Sequence, residues 1–369
     1  MSKVFEVFGY PLNSTHPKAK KCRTTAWCPF MGNECDGGGN RYLAALNLSK
    51  HPALAEKFIK SGSIHAGVCS LSIREKPWIV CPRRLLTLGG ANLSELQSKV
   101  RDALVRYGGL SPANEYRIWS EVRMRGSIQT KNSAQRFFDY TFDYILAGKC
   151  HKPLSEISLI TGKSERICER IAVENHFTLA RRSGKLWVDD FPADPIVIVE
   201  IMTSSTSGGN KAKRTRIGMA FEDAILKGDD HKAPGINYRQ VWARMVSQLL
   251  AKSQVGLAWD GKTIWILQDV LADYISSSTG LNLRHFISEA ADEVNLLSFG
   301  YGDSPKPNSI SGVIQLKDPC FYSGPIETTT EDHGGKGSGF VDIVKAGTMP
   351  PKEQLWRSLF LKSSCGVIN

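Results

Sequence analysis

The stretch Pro195-Ile-Val-Ile-Val-Glu-Ile-Met-Thr203 places one carboxylate, Glu200, inside a run of β-branched apolar residues. Such a run is typical of a buried strand. An earlier apolar stretch, Phe142-Asp-Tyr-Ile-Leu146, holds Asp143 in the same way. A buried carboxylate is unfavourable unless it has a partner, and a divalent cation is a usual one. The two stretches therefore predict two strands whose acids hold a divalent cation together.

The composition is that of a basic protein with a substantial core. The 369 residues are 41% hydrophobic, and 47 Lys and Arg against 36 Asp and Glu give a net charge of +11. This charge favours a protein that binds nucleic acid over an ordinary basic enzyme. The length predicts two or three domains. The sequence contains no run of about 18 apolar residues, so it predicts no membrane span. The start of the chain shows no secretion pattern, so we expect a cytoplasmic protein whose nine cysteines are metal ligands or core residues rather than disulfides.

Shifts in composition divide the chain into regions of a mixed α and β fold. We expect an irregular cysteine-containing unit at 1–88, a core of mixed sheet flanked by helices at 89–300, an insertion within it at 150–190, and a loop-rich end at 301–369. Alternation and apolar runs predict core strands at Tyr116–Arg125, Phe137–Leu146 and Ile196–Met202.

Helical periodicity predicts helices at 47–60, 211–227, 237–253 and 351–362, and a capping signal opens another at Asn92. In the helix at 237–253, Val241, Met245 and Leu249 share one apolar face. Asp260-Gly261, between the apolar segments 255–259 and 263–267, predicts a two-residue hairpin.

Four cysteines of the first region are candidate metal ligands: Cys28, Cys35, Cys69 and Cys81. Thiolates suit Zn²⁺ or iron, and such a site stabilises a segment with little regular structure. Their spacing is not that of a standard zinc finger, and buried unligated thiols are the alternative. Cys22 and His65 are spare candidates. The others, Cys150, Cys168, Cys320 and Cys365, are expected to be inert.

The insertion has the residue order of a winged helix-turn-helix. Two amphipathic helices meet at Gly162, and a basic hairpin follows with Ser183-Gly184 at its tip. Such a module lays its second helix in the major groove. An ordinary helical hairpin with a solvated charged face is the alternative. The expected DNA contacts are Lys163, Arg166 and Arg170 in the second helix and Arg181, Arg182 and Lys185 in the wing.

Taken in order, these features resemble the NotI-like restriction endonucleases, a branch of the PD-(D/E)XK nucleases. The resemblance covers most of residues 5–260 but not the insertion. It implies a restriction-endonuclease-like core and an N-terminal fold in which four cysteines hold one metal ion, iron in the relatives and zinc as the alternative here. The matching segments are Val7-Phe-Gly-Tyr-Pro11, Cys28-Pro-Phe30, Gly67-Val-Cys69, Trp78-Ile-Val-Cys-Pro82, Phe142-Asp143, Glu200-Ile201 with Thr203, and the helix at 241–252.

By this resemblance Asp143 and Glu200 are the Mg²⁺ ligands of a phosphodiesterase site, and Glu121 is a third carboxylate that positions metal or water. The lysine usual two residues after the second acid is replaced by Met202, whose thioether donates no hydrogen bond. Lys211 or Lys213 of the following segment can take its role, and we expect Lys211.

Two other replacements for that lysine stay open. Thr203 or Ser204 supplies a hydroxyl, or metal ions act alone. The basic run after the third strand, with Lys213 and Arg214, is expected to contact DNA phosphates.

The function implied is that of a bacterial type II restriction endonuclease. It would cleave double-stranded DNA with Mg²⁺ at a palindromic, GC-rich site, as a homodimer because one chain carries one carboxylate set. A methyltransferase that protects the same site is its expected counterpart. The alternatives are a non-catalytic winged-helix regulator with a structural metal, and a repair or RNA-processing nuclease.

Overall fold

The computed structural model describes residues 1–52, 62–87, 97–110, 116–128, 136–207, 209–279, 283–302, 312–326, 351–362 and 366–368. Most of its strands lie in two sheets. The strands are β1 (Ser2–Val7), β2 (Tyr10–Pro11), β3 (Trp27–Cys28), β4 (Asn33–Glu34), β5 (Leu43–Asn47), β6 (Ser63–Ile73), β7 (Lys76–Ile79), β8 (Tyr116–Ile128), β9 (Arg136–Pro153), β10 (Leu179–Arg182), β11 (Lys185–Met202), β12 (Thr206–Ser207), β13 (Gly235–Ile236), β14 (Lys262–Gln268), β15 (Val294–Phe299), β16 (Cys320–Gly324) and β17 (Gly366–Ile368).

Helices cover these sheets, with short 3-10 turns at Leu48–Lys50, Pro82–Arg84, Gly228–Asp230 and Leu283–Phe286 and a distorted turn at Gly37–Asn40. Among the described residues, no helix has the length and apolar character needed to cross a membrane. The helices are α1 (Pro17–Thr25), α2 (Ser98–Gly108), α3 (Leu154–Thr161), α4 (Glu165–Glu174), α5 (Ile217–Lys227), α6 (Tyr238–Ala258), α7 (Asp269–Thr279) and α8 (Lys352–Phe360).

The N-terminal region forms a five-stranded antiparallel sheet, although its composition predicted irregular structure. The order is β2-β1-β6-β5, with β7 also paired to β6. The central strand β6 is buried along most of its length because small and apolar residues alternate in it. The helix predicted at 47–60 does not begin at Asn47, which ends β5, and its residues 53–61 lie outside the described part of the chain.

The second sheet is mixed and eight-stranded, with the order β16-β15-β14-β11-β9-β8-β17 and β10 paired to β11. Strands β8, β9 and β11 are antiparallel, whereas β14 and β15 run parallel to β11. One face packs on α2 and the other on α6, α7 and α8. The predicted mixed sheet flanked by helices is thus confirmed. The capping signal at Asn92 lies outside the described residues.

The hairpin predicted at Asp260-Gly261 is wrong. Helix α6 continues to Ala258, so the buried Val255 is helical and the buried Trp259 caps the helix, and neither lies in a strand. The strand that follows, β14, pairs parallel to β11, which requires a helical crossover. The two residues therefore join a helix to a strand.

Packing does not follow the boundaries expected from composition. Ala220 and Phe221 of α5 lie in the core of the N-terminal sheet, with Val4 and Val68. The C-terminal region supplies both edge strands of the second sheet, β16 and β17, and the buried helix α8. These units are assembled from segments distant in sequence.

Helix α6 approaches β14 closely at Gly256, where an added Cβ would lie 2.5 Å from the Thr263 Oγ1. We expect Gly256→Ala to lower the free energy of unfolding by about 1–3 kcal/mol through overpacking. Gly218→Ala is the matched control, because a Cβ at Gly218, also helical, meets no atom within 4 Å among the described residues. Urea unfolding of both variants measures this, and equal midpoints would contradict the packing described.

Candidate active site

The pairing of β9 with β11 brings Asp143 and Glu200 together. The register pairs Tyr144 with Val199, so the next residues at the site end of the two strands are Asp143 and Glu200. The Asp143 Oδ2 accepts a hydrogen bond of 2.8 Å from the N–H of Ile201. Two acids separated in sequence thus meet where the pairing of β9 with β11 ends.

A lysine that the sequence did not single out completes this cluster. Lys252, in α6, donates from Nζ to the Glu200 Oε2 at 2.6 Å and to the carbonyl of Thr141 at 2.7 Å. Its side chain and that of Glu200 are each only 4% exposed. Its ammonium also lies 5.5 Å from the ring centre of Phe142. Lys252 thus supplies a buried cation at Glu200, where Met202 supplies none.

The sequence carried a signal for Lys252. Val241, Met245 and Leu249 define one face of α6, and Lys252 continues that face at helical spacing. A lysine on a core-facing stripe predicts a buried partner of opposite charge. Met202 packs instead beside the apolar cluster around α6 and α7.

Burial makes both carboxylates reluctant to ionise. It raises the pKa of Glu200 to about 8, with the charge of Asp143 adding to this and Lys252 opposing it. Burial also raises the pKa of Asp143, against the hydrogen bond from Ile201. The Glu200 Oε1 is buried and has no hydrogen-bond partner within the described residues. An orphaned carboxylate oxygen beside a second acid fits the ligand set of a divalent cation.

Glu121 lies on β8 between Ser120 and Val122, which pair with Tyr144 and Phe142, so its backbone is opposite Asp143. Its φ of +51° is unusual for a non-glycine residue. Its side chain is exposed, and its carbonyl accepts a hydrogen bond of 2.9 Å from the Lys362 Nζ. The backbone of Glu121 therefore borders the site, while its carboxylate faces solvent.

Lys211, the expected substitute for the motif lysine, lies in an exposed turn before α5. The run from Lys211 to Arg216 is not helical, because Asn210 organises it as a turn and accepts from the N–H of Lys213 at 2.9 Å. Within the described chain, no hydrogen bond or ion pair joins Lys211 to Glu200.

Arg214, an expected phosphate contact in the same turn, binds two carboxylates of α5. The distances are 2.7 Å to the Glu222 Oε2 and 2.9 Å to the Asp223 Oδ2. This charge is largely compensated within the protein.

The insertion contains the predicted order of helix, turn, helix and hairpin, as α3, α4, β10 and the start of β11. The hairpin continues directly into the strand of Glu200. The predicted DNA contacts Arg166, Arg170, Arg181, Arg182 and Lys185 are exposed, and Lys163 is half-buried.

Two of these arginines have acidic neighbours. Arg170 lies 3.7 Å from the Glu174 Oε1, and Arg182 lies 2.6 Å from the Asp189 Oδ1 and over the Trp187 ring. The wing is therefore a more basic surface than α4, which also carries three glutamates.

The four candidate cysteines lie together in the N-terminal unit. Cys28 and Cys35 flank the β3–β4 hairpin, Cys69 is in β6, and Cys81 follows β7. The N–H of Cys81 donates to the carbonyl of Cys69 at 3.2 Å. A Cβ at Gly67 would lie 2.5 Å from the Cys35 Sγ, so glycine there allows this thiol to approach β6.

Contacts between the thiols shift their ionisation. A hydrogen bond between Cys28 and Cys35 lowers the pKa of Cys28 and raises that of Cys35. Burial raises the pKa of Cys69 well above its usual range and that of Cys81 to about 12. Over the described ranges, no three or more His, Cys, Asp or Glu side chains have the geometry of a metal site. The thiols are neighbours, and the metal stays a prediction.

The other cysteines and the spare ligands are also placed. Cys22 lies near Cys28, and burial followed by the charge of Cys28 raises the pKa of Cys22 to about 11. His65 contacts the Ser63 hydroxyl at 3.2 Å. Cys365 lies outside the described residues, and Cys150, Cys168 and Cys320 are at least half-buried away from this cluster.

The raised pKa of Glu200 predicts that the affinity of this carboxylate for a divalent cation depends on pH. Below pH 8 a proton competes with the cation for this carboxylate, so we expect Mg²⁺ affinity to fall by up to about tenfold per pH unit as the pH drops from 8 to 6. Calorimetric titration of the metal-free chain across this range measures the affinity. Glu200→Gln should bind Mg²⁺ weakly at every pH. Wild-type affinity that is flat from pH 6 to 8 would count against a cation at Glu200.

Comparison with known proteins assigns no family. No protein-family model matches the chain, and no curated protein matches its sequence.

Proposed function

We propose that this chain is a Mg²⁺-dependent endonuclease of the type II restriction class, which hydrolyses double-stranded DNA at a specific site. The observation that carries the proposal is the meeting of Asp143, Glu200 and Lys252 at the end of two paired strands, with the Glu200 Oε1 buried and unpartnered in the described chain. A non-catalytic DNA-binding protein has no need of two mutually repelling buried acids. Two acids on successive strands are the way Mg²⁺-dependent nucleases hold their metal.

Asp143 and Glu200 would hold the Mg²⁺ ion, which supplies charge neutralisation of the phosphodiester and lowers the pKa of a bound water. The ammonium of Lys252 has three N–H donors, of which Glu200 and Thr141 take two. The third can orient the attacking water or donate to a phosphoryl oxygen. Because the site is buried, these charges act with little screening by solvent.

The net charge of +11 and the exposed basic wing supply attraction for the DNA backbone. A palindromic target fits two copies of the chain related by a two-fold axis, since each copy carries one carboxylate pair. A GC-rich target is proposed from the resemblance to the NotI-like nucleases alone. A methyltransferase that modifies the same site would protect the host DNA. A bacterial cytoplasm suits both activities.

The first test is cleavage of plasmid or phage DNA with Mg²⁺. We expect discrete fragments from the wild-type chain and a loss of about 10³-fold or more for Asp143→Ala and Glu200→Ala, because either change removes a metal ligand. Gel electrophoresis of timed digests measures this. DNA binding without cleavage would instead identify a regulator, and a smear without bands would identify a nuclease of another class.

The second test separates the two lysines. Lys252→Met keeps the volume of the side chain and removes its donors, and we expect the cleavage rate to fall about 10²–10³-fold. Lys211→Ala is the matched control and should cleave at the wild-type rate. Melting temperatures of both variants guard against unfolding, since Lys252→Met leaves Glu200 without its partner. The reverse outcome, with Lys211 essential and Lys252 dispensable, would overturn this assignment.

We further propose that Cys28, Cys35, Cys69 and Cys81 hold one structural iron or zinc ion. The N–H of Gly37 donates to the Cys35 Sγ at 3.4 Å, a hydrogen bond that suits a thiolate ligand. This proposal is supported by the proximity of the four thiols.

Elemental analysis of the purified chain tests the metal proposal. We expect about one iron or zinc per chain, lost together with thermal stability in Cys69→Ser, because metal binding contributes directly to folding. Cys150→Ser is the control, since Cys150 lies in β9 outside the cluster. Purified wild-type protein that contains neither metal would refute the site.

A further inference from the structure

We propose that Arg83 binds a DNA phosphate next to the scissile bond and that Asp36 holds it in position. This inference rests on the proposed function. Arg83 donates from Nε and Nη2 to the Asp36 Oδ2 at 3.1 and 3.0 Å, and from Nη1 to the Tyr144 hydroxyl at 3.0 Å. Tyr144 directly follows Asp143 in β9 and packs on the α2 side of the sheet, so the guanidinium lies on that side, one residue along the strand from the first proposed metal ligand.

The guanidinium has donors to spare. Three of its five N–H groups are used by Asp36 and Tyr144, and the other two have no partner among the described residues. The Arg83 side chain is 30% exposed. Its neighbour Arg84 is 1% exposed and bound to Glu6 and to the carbonyl of Ile314. Arg84 binds partners inside the protein, whereas Arg83 can donate hydrogen bonds to a ligand that approaches from solvent.

The cysteine cluster fixes both partners of this ion pair. Asp36 follows Cys35 and accepts at Oδ1 from the N–H of Gly38 at 2.8 Å. Arg83 lies two residues after Cys81 in the turn Pro82–Arg84, which closes through the bond from the Arg84 N–H to the Cys81 carbonyl. The N-terminal unit thus presents an oriented arginine to the catalytic strand.

The charge of Arg83 suits a phosphate at this place. Arg83 reaches β9 from the α2 side of the sheet through Tyr144, whereas Lys252 reaches it from α6 beside Phe142. Asp143 and Glu200 alone would repel the DNA backbone, and Lys252 is already engaged with Glu200. A guanidinium offers directed donors to two phosphate oxygens, which an ammonium does not.

DNA binding measured in Ca²⁺ over a range of salt concentrations tests this independently of cleavage. For Arg83→Ala we expect the slope of log K against log salt to shrink by about 0.9, the loss of one phosphate contact, and kcat to fall about 10²-fold. Arg106→Ala is the control, since it removes an equal charge that pairs with Glu289 and lies over Tyr107. It should leave both quantities unchanged.

Two milder variants complete the test if Arg83→Ala does not fold. Arg83→Lys keeps the charge, so the slope should stay while kcat falls about tenfold with the loss of the fork. Asp36→Asn should likewise lower kcat and keep the slope, because Arg83 loses its orientation but not its charge. An unchanged kcat in both folded variants overturns the inference, as does an unchanged slope in folded Arg83→Ala. A wild-type chain that does not cleave DNA defeats the proposed function itself.

Discussion

The buried ion pair between Lys252 and Glu200 is the interaction on which the cluster of Asp143, Glu200 and Lys252 depends. Taking each charge out of water costs several kcal/mol, and a single contact of 2.6 Å returns only part of that. One oxygen of Glu200 remains unpartnered in the described chain, and Asp143 adds repulsion. Apolar side chains of similar volume would stabilise the core better. The proposed catalytic role would account for an arrangement that costs stability near the end of a central strand.

The second constraint is the register between β9 and β11. A slip of one residue would turn Glu200 to the opposite face of the sheet, away from α6 and Lys252. The register shifts between Ala193 and Ile196, where β11 carries extra residues, and is regular from Ile196 to Val199. The irregularity separates the insertion's hairpin from the part of the same strand that carries Glu200. Changes in the insertion can therefore alter its outer surface without moving Asp143 against Glu200.

A feature of the fold or the site was predictable where its signal lies in a few consecutive residues, and not where it depends on contacts between distant segments. Asp143 and Glu200 could be found because a buried strand is visible in a few consecutive residues, and the mixed sheet followed from such strands. Lys252 was missed because its partner is 52 positions away in sequence and only the docking of α6 brings them together. The hairpin at Asp260-Gly261 was wrong for a related reason, since a local turn signal does not say which strand becomes the neighbour. The edge strands β16 and β17 lie in the region expected to be loop-rich, because no local pattern shows that these segments pair with distant strands.

Polar contacts join the N-terminal sheet to the second sheet. The Gln268 side chain, at the end of β14, accepts from the N–H of Ile79 at 2.7 Å and donates to the carbonyl of Pro77 at 2.7 Å, so it fastens β14 to β7. On the other side, Glu6 of β1 binds Arg84 and accepts from the Tyr301 hydroxyl at 2.7 Å. Gln268 contacts β7, and Glu6 contacts Arg84 in the turn that follows Cys81. Order around the thiols is therefore coupled to order at the end of β14, and a metal ion held there would stabilise the second sheet as well as its own unit.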